Sequence, residues 1–161
     1  MGSTNYILSD YWSDPAIERL SWNGKGFYLY LMTNSKRNEA GLYEITTDRI
    51  QYETKLEGSE IHTIMKELGT KVVWYEDKNI IWVKSLLARR VKNVPWLLKA
   101  CMEVVEQVKE RPILDKFFDY NQKFIDSLLP KGLDREKFNK IRWCDGCSRP
   151  ESVCACKKGS D

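Results

Sequence analysis

Four of the five cysteines lie within thirteen residues near the C-terminal end, in the order C-x2-C-x6-C-x-C. They are Cys144, Cys147, Cys154 and Cys156. Thiolates are soft ligands, and four of them at about 2.3 Å from a tetrahedral Zn²⁺ form a closed structural site. A module this small needs such a staple to fold. The spacing therefore predicts a structural zinc ion with no open position for water or substrate.

Two other uses of these cysteines remain open. Cys144 and Cys147 have the C-x-x-C spacing of a redox pair, but no thioredoxin-like βαβ pattern surrounds them. Two disulfides would require an oxidising compartment, and the start of the chain does not read as a signal peptide. No apolar run approaches the 18 residues needed to cross a bilayer, so we expect no membrane association. The cytoplasm is the expected location.

Catalytic signatures are absent from the sequence. There is no G-x-S-x-G, no P-loop and no G-x-G-x-x-G, and the single histidine, His62, has no recognisable nucleophile partner. Cys101 falls on the apolar side of a helical pattern and reads as a buried small hydrophobe. We therefore expect a binding protein and not an enzyme.

The elements that would position a binding surface begin near residue 14. Helices are expected from Pro15 and from Ser21, a short strand over Gly41–Ile45, and two more helices from Thr46 and over Ser59–Leu68. Two runs rich in Val, Ile and Trp follow, residues 71–75 and 79–83, joined by the polar turn 76–78. Such runs predict a β-hairpin, with Gly41–Ile45 pairing as a third strand.

This order of helices and strands is that of a winged helix-turn-helix. The expected fold class is mainly α with a small β-sheet: a winged helix over residues 10–84, a helical extension over 85–142 and a zinc-binding tail over 143–161. The extension contains helices from Asn93 and from Pro112, and a short basic helix from Asp134. The helix Asn93–Lys109 was also expected to support a homodimer, since one winged helix usually reads one half-site.

A winged helix predicts binding to double-stranded DNA, with Ser59–Leu68 in the major groove and the hairpin along the backbone. Residues 1–84 carry 10 Lys and Arg against 12 Asp and Glu, a net charge of −2, whereas residues 85–161 carry 16 against 11, a net charge of +5. Anionic partners should therefore meet the second half or the junction first. The candidate DNA contacts are Arg49, Lys55, His62, Thr63, Lys66, Lys78, Lys84, Arg89, Arg90 and Lys92.

Several of these residues also have plainer interpretations. The cluster from Lys84 to Lys92 is equally consistent with a solvated linker, and His62 with an ordinary surface residue. From Glu57 onward the groove helix has three carboxylates and one lysine, which opposes phosphate binding. The alternative function is thus an adaptor that binds a protein, such as a helicase or a host defence or transcription factor. The tryptophans are expected in the core and on the sheet, with stacking on single-stranded nucleic acid as the alternative.

Residues from about 10 to 121 resemble the winged-helix replisome organisers of phages and prophages, which are related to the DnaD-like primosomal proteins. The matching segments are Tyr11–Asp14, Phe27–Asn34, Gly41–Ile45, Ile80–Lys84, Asn93 and Phe117–Tyr120. The resemblance implies DNA binding at an origin and recruitment of replication proteins. The helicase-contact domain of the DnaD type is not recognisable in this chain.

The tail resembles a different family. Its pattern C-x2-C-x-R-P-x3-C-x-C, which includes Arg149-Pro150, is similar to the cysteine motif that opens DTW-domain RNA-modifying enzymes. The resemblance implies a metal site, and it adds a third function class, an RNA-binding accessory of tRNA modification. No transferase domain follows the motif in this sequence.

Overall fold

The computed structural model describes residues 11–129 together with Glu136, Phe138 and Ile141. The four tail cysteines, Trp143 and most of the helix predicted from Asp134 lie outside the described residues. The zinc site therefore stays a prediction from the sequence.

Helices make up most of the described chain, with one small sheet. The helices are α1 (Pro15–Glu18), α2 (Trp22–Thr33), α3 (Thr47–Thr54), α4 (Gly58–Leu68), α5 (Leu86–Arg90), α6 (Val94–Gln107) and α7 (Arg111–Leu128). The strands are β1 (Leu42–Glu44), β2 (Val72–Tyr75) and β3 (Ile80–Val83). The expected fold class, mainly α with a small β-sheet, is confirmed.

Side-chain caps begin the helices at the residues that the sequence indicated. Asp14, Ser21, Thr46 and Asn93 each accept a hydrogen bond from a backbone N–H in the first turn that follows. Such a cap satisfies an N–H group that has no partner within the helix, and losing one costs about 1 kcal/mol. Pro15 and Pro95 add a backbone angle that already suits a first turn.

The three strands pair antiparallel in the order β1-β3-β2. Leu42 lies opposite Trp82 and Tyr43 opposite Ile81, so the first strand joins the predicted hairpin as expected. Gly41 immediately precedes this strand and has a φ of +77°, and a Cβ there would lie 2.6 Å from the Val83 carbonyl oxygen. The position therefore requires glycine.

The sheet lies between two hydrophobic cores. Tyr43, Ile81 and Val83 face the core formed with α2, α3 and α4. Leu42 and Trp82 face the other core, formed largely by α6 and α7. All four residues of β3 are buried. The central strand thus joins the segment predicted as a winged helix to the helical extension.

Residues 84–92 do not form the solvated linker that was one expectation. They include α5, whose Leu86 packs in the first core, while Leu87 and the following Val91 pack in the second. The apolar face of α6 is buried against the chain itself, including Cys101 as predicted. The apolar face of this helix is therefore covered within the chain, and the homodimer through Asn93–Lys109 stays a prediction.

The expected burial of the tryptophans is wrong for three of them. Trp12, Trp22 and Trp96 are 49%, 78% and 56% exposed, whereas Trp82 is buried. Among the helices of the described residues, none is long and apolar enough to cross a membrane.

Candidate nucleic-acid interface

Helix α4 presents an exposed face opposite its buried one. Ile61, Ile64 and Leu68 are buried against the first core. The spacing of three and four residues leaves the side chains of His62, Thr63 and Lys66 in solvent, as the sequence predicted. Lys66 forms no ion pair with any described residue.

The carboxylates of α4 hold the ends of helices. Glu57 and Glu60 form a capping box, in which the Glu57 N–H donates to Glu60 Oε2 over 2.8 Å. Glu67 accepts hydrogen bonds from Ser21, at its backbone N–H and, over 2.8 Å, at its hydroxyl group. A negative charge at the start of α2 also complements the helix dipole. The three acids thus have structural roles in the fold. Their negative charge would nevertheless act on any ligand that approaches α4.

His62 links α4 to the turn of the hairpin. Its Nδ1 lies 2.6 Å from the Gly58 carbonyl oxygen, and its Nε2 lies 2.9 Å from Glu76 Oε2. Both partners only accept, so both ring nitrogens donate when the imidazole is protonated. The bond to Gly58, followed by that to Glu76, raises the pKa of His62. The imidazole also packs on Trp74, with 4.9 Å between ring centroids.

Three of the candidate phosphate contacts are paired with carboxylates of the same chain. Arg49 contacts Glu53 at 2.8 Å within α3. Lys78 in the hairpin turn lies 3.7 Å from Glu110, and Arg89 lies 3.2 Å from Asp14. Pairs this exposed are worth about 0–1 kcal/mol, so a phosphate can compete for each cation.

The cations that follow the hairpin point to different neighbours. Lys84 lies over the rings of Trp82 and Tyr120, 5.4 Å and 5.2 Å from their centroids. Burial, followed by the nearby Arg37, lowers the pKa of Arg90. Arg89 contacts Asp14 instead, so the structure does not bring this predicted cluster together as one phosphate site.

The remaining candidates are more accessible. Lys55 follows α3 in the left-handed region (φ +61°), and its Nζ lies 4.2 Å from the Tyr52 ring centroid. Lys92 Nζ lies 3.5 Å from the Ala88 carbonyl oxygen. The Thr63 hydroxyl donates to the Ser59 carbonyl oxygen over 2.9 Å. In the part of the chain that the structure describes, neither lysine forms an ion pair.

Trp12 and Trp22, which were expected in the core with stacking on single-stranded nucleic acid as the alternative, form an exposed aromatic pair. The rings of Trp12 and Trp22 stack with centroids 5.9 Å apart and planes 13° apart. Trp22 lies beside a cleft of about 270 Å³ between α2 and α3. The exposure of Trp22 could have been predicted from the sequence. Phe27, Tyr28 and Leu31 define the buried face of α2, and Trp22 lies on the opposite side of the helix.

The described part of the chain offers no metal site. Residues 11–129, with Glu136, Phe138 and Ile141, contain no cluster of three or more His, Cys, Asp or Glu that could hold a metal ion. The predicted ligands Cys144, Cys147, Cys154 and Cys156 lie outside these residues.

Comparisons of the chain with protein-family models, with curated proteins and with solved structures find no match. The chemistry of the surface itself must therefore indicate what the chain binds.

Proposed function

We propose that this chain is a non-catalytic DNA-binding protein of the phage or prophage type, acting in replication initiation or replisome organisation. Its binding unit is a winged helix made of α2, β1, α3, α4 and the β2–β3 hairpin. One observation carries the proposal: α4 exposes His62, Thr63 and Lys66 on one face, and the His62–Glu76 contact fastens the hairpin turn beside that face. A helix and a hairpin fixed together can contact a groove and the adjoining backbone.

The charges on this surface indicate moderate affinity. Lys55 and Lys66 form no ion pair with described residues, whereas Arg49 and Lys78 must exchange a carboxylate for a phosphate. Two freely available lysines correspond to a slope of about −2 in log affinity against log salt concentration. Base contacts would come from the Thr63 hydroxyl, which donates to Ser59 and can still accept a hydrogen bond, whereas the ring nitrogens of His62 are held by Gly58 and Glu76 and leave that residue only ring contacts.

The absence of catalysis is part of the proposal. Among the described residues, the ring nitrogens of the surface residue His62 contact the Gly58 carbonyl oxygen and the Glu76 carboxylate, and neither partner is a nucleophile of the Ser, Thr or Cys type. Burial raises the pKa of the Cys101 thiol to about 12, which keeps it from acting as a thiolate.

Fluorescence anisotropy with a labelled random duplex over a salt series tests the proposal. Replacing Lys66 and Thr63 by Ala should weaken binding and reduce the magnitude of the salt slope by about 1, because one phosphate contact is lost. Lys116→Ala, on the exposed side of α7, is the matched control and should bind as the wild type does. Equal binding by all three proteins would remove α4 from the interface.

The second candidate is an adaptor that binds a protein, and the charges of α4 favour it. Glu57, Glu60 and Glu67 outnumber Lys66 on this helix. Absence of duplex binding at low salt, combined with capture of one protein by the wild type but not by the Lys66/Thr63 variant, would establish this candidate in place of DNA binding.

We also propose that Cys144, Cys147, Cys154 and Cys156 hold one structural Zn²⁺. The support is the donor set and its spacing in the sequence. Such a site would hold a small module together without supplying chemistry.

A further inference from the structure

We infer that the Trp12–Trp22 pair and the cleft beside it bind single-stranded nucleic acid by stacking unpaired bases. This site uses the indoles and the α2–α3 cleft in place of the exposed α4 face, although Arg49 and Lys55 border both surfaces, and it goes beyond the duplex binding proposed above. The aromatic cleft is defined by Trp12 and by the residues that line the cavity. The lining residues are Trp22, Asn23, Gly26, Phe27, Tyr30, Glu53, Thr54 and Leu56.

The indole pair is held in place by buried structure. Tyr11 is buried, its hydroxyl donates to the Lys25 carbonyl oxygen over 2.6 Å, and its ring meets the Trp12 ring edge-on at 5.0 Å. Trp22 is fixed by its position at the start of α2, next to the Ser21 cap. The two rings are therefore positioned before any ligand arrives, although Trp22 is largely exposed and Trp12 is half-exposed. Such a preorganised aromatic surface suits the flat face of a base.

The cleft continues this surface between α2 and α3. A Cβ added at Gly26 would meet no atom within 4 Å, so packing does not require glycine there. The missing side chain leaves the helix backbone open as the floor of the cleft. Phe27 and Tyr30 form its aromatic wall.

Cations flank the α3 side of the cleft. Lys55 lies between two lining residues, and Arg49 contacts the lining residue Glu53. Lys36 is close enough to lower the pKa of Glu53, after the larger effects of the Tyr30 hydroxyl and Arg49. The nearby carboxylates are Glu53, which is matched by Arg49, Glu67, which is bonded to Ser21, and Glu57, which follows the lining residue Leu56. Lys36 and Lys55 remain as cations that can contact the phosphates of a strand whose bases stack on the indoles.

The exposed indoles also select single strands. In a duplex the base faces are covered by neighbouring base pairs, whereas unpaired bases can stack on an aromatic side chain. Single-stranded DNA and RNA share this chemistry, so both are tested.

Anisotropy with labelled oligo-dT, oligo-rU and a duplex, at low salt, tests the inference on the full chain. Trp22→Ala should weaken single-strand binding roughly 5- to 150-fold, which is the loss of one stacked base, and leave duplex binding unchanged. Trp96→Ala removes another exposed tryptophan, on α6, and should have no effect on either ligand. Preference between oligo-dT and oligo-rU identifies the source of the strand.

Gly26→Ala is the second variant, because it adds a methyl group to the floor of the cleft without removing an aromatic ring. It should reduce single-strand binding while circular dichroism shows an intact helical fold. Equal single-strand affinity for the wild type, Trp22→Ala and Gly26→Ala would overturn the inference, as would binding only to an apolar peptide. Loss of duplex binding alone, in the Lys66/Thr63 variant, would concern the α4 face and not this cleft.

Discussion

Arg49, Lys78 and Arg89 each contact a carboxylate of the same chain, and this determines how they can serve a ligand. Asp14, the partner of Arg89, has a pKa lowered by the Ala16 N–H and then by Arg89. The carboxylate therefore stays charged over the ordinary pH range. A phosphate that binds Arg89 must displace it, so the positive charge counted from the sequence overstates the charge available to a ligand.

At the same scale, His62 should make stability depend on pH. The folded state raises its pKa above the ordinary value of 6.5, so the protonated ring stabilises the fold. This contribution is complete below pH 6.5 and is lost as the pH rises through the higher folded-state pKa. We expect urea unfolding to show a stability decrease over that range in the wild type and a smaller one in His62→Gln. Identical pH profiles for the two proteins would contradict the His62–Glu76 contact.

The cysteines should fall into two reactive classes. Cys101 is fully buried with a pKa of about 12, so it should react with a thiol reagent only after denaturation. If the other four bind zinc, they should stay protected until a strong chelator removes the metal, and the native protein should contain one zinc per chain. Four reactive thiols in protein purified without chelator, with no zinc by elemental analysis, would exclude the site.

Individual contacts were predictable only where their partners are close in the sequence. The spacing of Arg49 and Glu53 on one helix was readable in advance. The Arg89–Asp14 contact joins residues 75 positions apart, and no local pattern indicates it. The exposure of Trp22 was readable from its position on α2, but a general preference of tryptophan for the core was given more weight.

At the scale of elements, caps and periodicity were sufficient for most helices and strands. Ser21, Thr46 and Asn93 begin helices as predicted, and the hairpin strands shift by only one residue from their expected starts. Helix α5 was not predicted, because its neighbouring leucines serve different cores. Leu86 and Leu87 pack in different cores. The five residues of α5 therefore lack the single apolar face by which a helix is recognised in a sequence.

Two glycines should respond in opposite ways to alanine. Gly26→Ala adds a methyl group to open space in a helix and should raise the free energy of unfolding by about 0.4–1 kcal/mol. Gly41→Ala places a Cβ 2.6 Å from the Val83 carbonyl oxygen at a φ of +77°. It should lower the free energy of unfolding by about 1–3 kcal/mol or more. Chemical denaturation of both variants measures the difference. Stabilisation by Gly41→Ala would contradict the described β1–α5 packing.

At the scale of the whole molecule, the shared sheet joins two sets of helices. Sequence periodicity identified both sets and indicated a boundary at residue 84. It did not indicate that Leu42 and Trp82 would be covered by the later helices, because a strand of four apolar residues does not reveal what covers its second face. The contact between the extension and the sheet is therefore a result of tertiary packing.

Phe117→Ala should destabilise both cores together. Phe117 is fully buried and lies 5.8 Å, between ring centroids, from Trp82 in the central strand. A cavity there costs about 3–5 kcal/mol, whereas the control Tyr52→Ala, at an exposed position, should change little. Tryptophan fluorescence and circular dichroism should report one common, lowered transition for Phe117→Ala. Separate transitions in the two signals would show that the cores unfold independently.

The strand order β1-β3-β2 has a consequence for the newly made chain. β1 and β2 do not pair with each other, and both pair with β3, which is the last of the three to be synthesised. Residues 42–44 must therefore wait on the ribosome until Ile80–Val83 has emerged, and the second face of β3 waits longer still for α6 and α7. Sheet formation is therefore a late and non-local event. Until it occurs, helices α2 to α4 lack the sheet that covers their apolar faces, and those faces stay exposed on the nascent chain.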